Sequence, residues 1–519
     1  MRASDAPIPA SNPTIYKGST LASCAPKWLA LAALAALAGC AVGPDFETPA
    51  PPAVSGYTRE PLPAQTTSAD IPGGEAQRLV RDLDIPAQWW TLFHSPDLNR
   101  LIERAIKANP TIQSAQAALK VALENVYAQQ GAFFPSIDGS FSPSRNKSSN
   151  SIAPVPSNNT NVYSLYTAQL SLSYAPDIWG LNRRQVESLQ AQADAQRFQL
   201  EATYVTLTAN VVTAAVQEAS LRAQIDATRD IIKIQRDLLD LLHRQLQAGA
   251  VAGLDVAAQE AALAAALATL PPLEKQLAQQ RDALAALIGA FPSEEPAEQF
   301  QLSSLTLPQD LPVSLPAKLV QQRPDVRQAE ANLRSASAQI GVAVANRLPN
   351  LTLSALWGTQ AVSAGGLFGP GNGIWTLSGQ VMAPIFDGFT LLHRERAARA
   401  AFDQAAAEYK STVLGAFQNV ADTLRALQSD ADAVRAQDAA ERAAKTSLDI
   451  TRRQLELGQI NYLSLLNAEQ TYLQAVINLA QAQANRYADT AALFQALGGG
   501  WWNRPDQPQT ALSIRNVLP

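Results

Sequence analysis

The sequence predicts a mainly α-helical chain of two tandem halves, each inserting two β-strands between its helices. Three observations predict it. Blocks of sequence recur in one order at nearly one offset. Two stretches, Arg183–Leu246 and Leu391–Leu457, run 64 and 67 residues without a proline, about 96 and 100 Å of helix at about 1.5 Å per residue. Four shorter runs alternate apolar and polar residues with the period of a strand.

The chain opens on a leader. Arg2, Lys17 and Lys27 precede an apolar run of 11 residues, Trp28 to Ala38. That run is about 17 Å of helix, too short for a hydrocarbon core of about 30 Å. A basic start, a short apolar stretch and small residues at its end describe a secretory signal peptide. Leu37-Ala38-Gly39-Cys40 resembles a bacterial lipobox, in which the cysteine thiol receives a diacylglycerol and becomes the new N-terminus. Ala41 stands where an aspartate would favour retention at the inner membrane, so outer-membrane anchoring is expected.

Cleavage before Cys40 removes 39 of the 519 residues and shifts the net charge from −5 to −7. This mildly acidic chain has no basic block to suit nucleic acid. Cys24 leaves with the leader and Cys40 is acylated, so no thiol is left for a disulfide, a zinc cluster or a nucleophile. His94, His243 and His393 lie far apart among polar neighbours and are expected at the surface, without a metal or other cofactor. No run of 18 apolar residues follows Cys40, so no spanning helix is expected.

The duplication sets the element order. "NPTIQSAQAALKVALENVYAQQGAFFPSI" begins at Asn109 and "RPDVRQAEANLRSASAQIGVAVANRLPNL" at Arg323, 214 residues on. Ala175-Pro176 and Gly180 match Ala383-Pro384 and Gly388 at a shift of 208. Arg244-Gln245-Leu246, Gly249, Leu254 and Glu260 match Arg453-Gln454-Leu455, Gly458, Leu463 and Glu469 at a shift of 209. Each half then has a helix, two alternating runs, a very long helix, a glycine-containing break and another helix.

The strands are expected near Pro135–Ser144 and Val162–Ala175, with counterparts around Leu351–Trp357 and Trp375–Ala383. In the second run Tyr166, Ala168, Leu170, Leu172 and Tyr174 share one face against Thr167, Gln169, Ser171 and Ser173. Strands of a membrane barrel pattern this way, with an aromatic fringe. A half-buried soluble sheet patterns identically, so the strands alone do not choose. The connections "RNKSSNSIAPVPSNNT" and "VSAGGLFGPGNG" have loop composition, and the second lacks the Lys-Ser/Thr of a phosphate cradle. In the first long helix Ile231, Ile234, Leu238 and Leu241 form one apolar stripe, and Ile232, Leu239, Leu242 and Leu246 a second. Two stripes suit a helix with a neighbour on each side.

If the strands lie in lipid, a four-stranded sheet leaves two edges of unpaired N–H and C=O groups, which hydrocarbon does not tolerate. The sheet must close with strands from other copies, three giving 12 and four giving 16.

Several blocks carry a family resemblance. "VGPDFETP" follows Cys40. "WWTLFHSPDLNRLIERAIKANP", "LPAKLVQQRPDVRQAEANLRSASAQIGVAVANRLPNLTLSA", "APIFDGF" and "LGGGW" complete the set. With them the chain resembles the outer membrane factors, the TolC-like efflux channels, most closely their OprM-like lipoprotein branch. The resemblance implies a homotrimer with one 12-stranded outer-membrane β-barrel continued by an α-helical barrel across the periplasm. It implies a periplasmic adaptor and an inner-membrane pump of the resistance-nodulation-division type as partners, and a passive exit duct rather than an enzyme. The expected layout is a leader (1–39), a lipid-anchored N-terminal and equatorial segment (40–95), a first repeat (96–300), an equatorial linker (301–316), a second repeat (317–500) and a tail (501–519). An outer-membrane channel for peptide secretion driven by an ATP-hydrolysing transporter is the alternative. A lipid-anchored enzyme finds no catalytic grouping, and a soluble coiled-coil scaffold would not need the strands.

The resemblance also places the inner end. The breaks "GAVAGLD" (Gly249–Asp255) and "GQINYLS" (Gly458–Ser464) end the long helices, where glycine permits the left-handed turn that stops a helix. The implied adaptor contacts are Gly249, Leu254, Asp255, Gly458, Leu463 and Ser464. In TolC two aspartates beyond the second tip ring the entrance, and the matching positions are Ser464 and Asn467. TolC's gate arginine and tyrosine are matched by Ile460 and Leu455, and only Asp255 keeps an acidic partner. Closure is therefore expected from polar and apolar packing around Leu455, Ile460, Leu463 and Asn467 rather than from an ionic lock.

Overall fold

The computed structural model describes residues 41–148 and 162–505. Cys40 and the leader lie outside the described residues. The first half contributes β1 (Arg78–Arg81), α1 (Pro96–Ala108), α2 (Pro110–Gln130), β2 (Ser136–Lys147), β3 (Val162–Tyr174), α3 (Leu181–Gln247) and α4 (Gly253–Leu287). The second repeats the order with β4 (Asp310–Val313), α5 (Pro316–Gln322), α6 (Pro324–Ala345), β5 (Asn350–Ala361), β6 (Gly373–Met382), α7 (Thr390–Glu456) and α8 (Tyr462–Ala496). The duplication extends to length: α3 and α7 have 67 residues each, and α4 and α8 have 35 each.

Local chemistry fixes the helix starts. Asn109 caps α2, its Oδ1 accepting the Thr111 N–H at 2.8 Å, with Pro110 in the first turn where its missing N–H costs nothing. At the head of α3 the Asp177 carboxylate accepts the N–H groups of Asn182 and Arg183 at 2.9 and 3.0 Å.

The chain forms two compact units. One holds residues 135–148, 162–183 and 344–385 with Ala41–Gly43, and its centre is an antiparallel sheet in the order β2-β3-β5-β6. The register is continuous, with Ile137 opposite Leu172, Leu170 opposite Trp357, Trp357 opposite Trp375 and Leu351 opposite Val381. One face is therefore apolar across all four strands. It is also open: Ile137, Trp357, Trp375, Leu377 and Val381 are all exposed. The other face carries Asp138, Ser140, Gln169, Ser171, Ser354, Ser378 and Gln380. The expected alternation and face assignment hold in the register.

Gly358 is a pinch point of this sheet. A Cβ there would meet the Ala168 carbonyl oxygen at 2.4 Å, and backbone cannot give way as a side-chain end can. Gly358→Val is expected to abolish accumulation of folded protein in the outer-membrane fraction. Gly139→Val, where a Cβ meets only a Leu170 methyl at 3.5 Å, should be tolerated, and immunoblots of membrane fractions compare them.

The second unit holds residues 44–134, 184–343 and 386–505. Its core centres on Trp89, Trp90, Phe93, Tyr487 and Phe494, all buried. Trp89 stacks on Phe494 at 5.1 Å, 16° from parallel. Two features here escaped the sequence. The segment before α1 and the linker at 301–316 form a parallel pair, β1 with β4. And the stripes of α3 are not purely apolar: Ile231, Ile232 and Leu242 are buried, but so is Gln235, while Leu241 and Leu246 are exposed.

Among the described residues α4 is long and apolar enough by composition to cross a membrane, though it holds no unbroken run of 18 apolar residues. Its apolar content is largely alanine. It lies along α3, with Gln280 Nε2 on the Ala214 carbonyl at 3.0 Å and Arg229 on Glu274 at 2.8 Å, and Pro271-Pro272 interrupts its hydrogen-bond ladder.

Candidate functional site: the helical tips

Both long helices stop by one device. Gly249 sits at φ +70° and Gly458 at φ +71°. In the first tip the Gly249 and Ala250 N–H groups donate to the Leu246 and Gln245 carbonyls at 2.9 and 2.8 Å. In the second the Gly458 and Gln459 N–H groups donate to Leu455 and Gln454, both at 2.9 Å. These bonds satisfy carbonyls that a helix end leaves without partners, and the positive φ needs glycine.

The return helices start differently. In the first tip the Asp255 carboxylate reaches back to the Ala252 N–H at 3.2 Å. In the second the Asn461 side chain reaches forward, accepting the Ser464 N–H at 3.0 Å and the Ser464 hydroxyl at 2.8 Å. Asp255 and Ser464, equivalent in the duplication, thus each belong to the cap of their own helix.

The tips are joined by a residue that the sequence reading passed over. Tyr462 Oη donates to Gln245 Oε1 at 2.5 Å, linking the start of α8 to the end of α3. Burial pushes the phenol above its ordinary range, and the Asp255 charge adds to the rise. The hydroxyl therefore stays a donor at any ordinary pH. Asp255 and Tyr462 are brought together, while the expected contact residues Leu254 and Leu463 project outward, 78% and 58% exposed. Leu455 and Ile460 are half-buried, and Asn467 is exposed. The signal for Tyr462 was present in "GQINYLS": it is the lone aromatic in either break.

Beside the tips α3, α7 and α8 enclose a groove of about 580 Å³. Its walls mix signs, with Asp230, Lys233, Asp237, Lys445, Asp449 and Arg452. His94, His243 and His393 are exposed, and among the described residues no three His, Cys, Asp or Glu side chains cluster to hold a metal.

Comparison with known proteins agrees with this geometry. The outer membrane efflux protein family model matches residues 101–290 and 315–499, one match per repeat. The toluene efflux pump outer membrane protein TtgC of Pseudomonas putida is 27% identical over 488 residues, covering 92% of this chain and 96% of that one. The pyoverdine export outer membrane protein OpmQ of Pseudomonas putida is 28% identical over 447 residues, 85% of this chain and 94% of that one. The solved structure of the outer-membrane channel OprN superposes with a TM-score of 0.78 at 26% identity, covering 89% of this chain and all of that one. Two matched repeats, a shared helical and strand architecture and full-length similarity place the chain in the outer membrane efflux protein family, with a TolC-like fold, as the outer-membrane channel of an efflux system.

Proposed function

We propose that this channel is a homotrimer, anchored by a lipid on Cys40, that receives small organic molecules from an inner-membrane pump of the resistance-nodulation-division type through a periplasmic adaptor. The observation that carries the oligomer is the sheet, and the family resemblance selects three copies over four. Among the described residues β2 and β6 each pair on one side only, and nothing covers the apolar face. In hydrocarbon such edges must be paired, and three copies supply an even set of 12 strands. Open apolar faces then meet lipid, and the polar faces line the pore. The chain's own part is a conduit, with no chemistry at its walls.

The tips serve as both dock and gate in this reading. Gly249, Leu254, Asp255, Gly458, Leu463 and Ser464 are the proposed adaptor contacts. Outward-pointing Leu254 and Leu463 support this, since an exposed leucine at a helix end gains most from a partner. Leu455, Ile460 and Asn467, together with Tyr462, form the proposed gate.

Cysteines placed at Leu254 and Leu463 and crosslinked in native membranes test the reading. Expected are adducts with an adaptor that brings down a proton-driven pump, and palmitate labelling that Cys40→Ser abolishes. Recovery of an ATP-hydrolysing exporter would move the protein to secretion. A monomer in mild detergent would overturn the trimer.

A further inference from the structure

Below the tips, one carboxylate is buried where four helices meet. Glu469 of α8 is fully buried. Its neighbours come from α7 and α3, and α4 backs the second of them. Arg452 of α7 stands with Nη2 3.8 Å from Glu469 Oε1, beyond hydrogen-bond range. The Gln235 side chain of α3, itself buried, faces it. Gln259 of α4, also buried, donates to the Gln235 carbonyl at 3.0 Å. Neither Glu469 oxygen has a partner in hydrogen-bond geometry. Among the described residues the charge facing it is Arg452, whose side chain is 35% exposed. One turn on, Tyr472 of α8 has Glu441 and Asp449 of α7 and Asp230 of α3 about it, all of the sign that disfavours a second anion.

The duplication sharpens the point. His243 and Glu260 are the equivalent pair of the first half, also 3.8 Å apart, but both side chains reach solvent. Of these two equivalent carboxylates only Glu469 is buried. A buried carboxylate without hydrogen bonds is costly when ionised and much less so when protonated.

We propose that Glu469 is a proton-linked spacer: it packs as the neutral acid while the α7–α8 hairpin lies against α3 and α4, and takes its charge when the hairpins part. The inner end of the channel therefore opens more readily as pH rises. The inference deepens the gate reading above and rests on it.

The sign follows from linkage. Burial raises the Glu469 pKa in the packed arrangement, and Arg452 and the Gln235 amide oppose this only in part. The packed state then binds more protons than the parted one. Its advantage is complete below the ordinary carboxylate range and is lost as pH rises through the raised value. Each titrating protomer changes the open fraction by up to about tenfold per pH unit.

Single-channel conductance of the purified full-length protein in planar bilayers, recorded across pH, is the test. The wild-type open fraction should climb as pH rises above the carboxylate range. Glu469→Gln should make it flat and low, and Glu469→Asp should restore the slope, which a purely structural role would not do. A slope that survives in Glu469→Gln, or a flat wild type, overturns the proposal. If Glu469→Gln fails to assemble, the wild-type and Glu469→Asp curves still decide it. Failure of the gate reading looks different: Tyr462→Phe channels would then conduct like wild type at every pH.

Discussion

Tyr462→Phe channels should pass ions at neutral pH far more than wild type. The change removes one hydroxyl and with it the 2.5 Å bond to Gln245, leaving ring packing in place. A neutral hydrogen bond of this kind contributes about 1 kcal/mol net. Three protomers opening together would lose about 3 kcal/mol of closing free energy, more than a hundredfold in the open-to-closed ratio. Gln245→Leu removes the other partner and should open the channel similarly. The double variant should add little, because both changes delete the same bond. Planar-bilayer conductance checks the rate of opening. Thermal denaturation of the trimer should be unchanged in all three, since the bond joins helix ends and not the core. Conductance equal to wild type in both single variants would remove the Tyr462 link from the gate.

Arg486→Ala should be the most destabilising single change outside the sheet. Arg486 is fully buried on α8. It donates to the Gly73 carbonyl at 3.1 Å, the Glu75 carbonyl at 2.5 Å and Thr66 Oγ1 at 3.1 Å. One guanidinium thus ties the segment before β1 to the equatorial core. Removing it takes the donor from the Gly73 and Glu75 carbonyls, while Thr66 Oγ1 keeps the Gln77 N–H at 3.0 Å, and leaves a void, a loss of about 3–5 kcal/mol. Arg486→Lys should not rescue, because a single ammonium cannot reach acceptors spread across a planar fork. Arg78→Ala is the contrast: its pair with Asp310 is exposed on both sides, so its loss should stay within about 1 kcal/mol. Denaturant unfolding in detergent, followed by circular dichroism, ranks the three.

The same neighbourhood sets a pH dependence. Burial, and then the Asp489 carboxyl beside it, push the Asp430 carboxyl up to about 7, with Arg486 opposing. An acid that holds its proton more tightly folded than unfolded gives stability that is complete below the ordinary carboxylate range and is lost as pH rises through about 7. Arg486→Ala removes the opposing cation, so the loss should move to still higher pH.

Strand faces were legible because alternation is a backbone property: Tyr166, Leu170 and Leu172 fall on one face whatever surrounds them. The stops at Gly249 and Gly458 were legible because a left-handed turn selects glycine. The element order was legible because it was written twice. Less was visible of the site. Gln235 stands inside an apolar stripe and reads as an interruption, yet it is buried because α4 and α8 both close over it. Tyr462 was passed over because nothing nearby in sequence shows that α3 ends beside α8. The β1–β4 pair joins segments more than 200 residues apart, each too short to carry a strand pattern.

By itself, then, the sequence determined the local and periodic features of this channel: the two repeats, the helix lengths, the strand faces and the breaks. Those depend on interactions within a few residues or on a repeating spacing, and both are written along the chain. Tertiary structure alone decided which side chains meet. The Tyr462–Gln245 link, the four-helix setting of Glu469 and the Arg486 tie to Gly73 and Glu75 all join residues brought together by packing. Burial, which gives each of them its energetic weight, is a property of the neighbours and not of the residue.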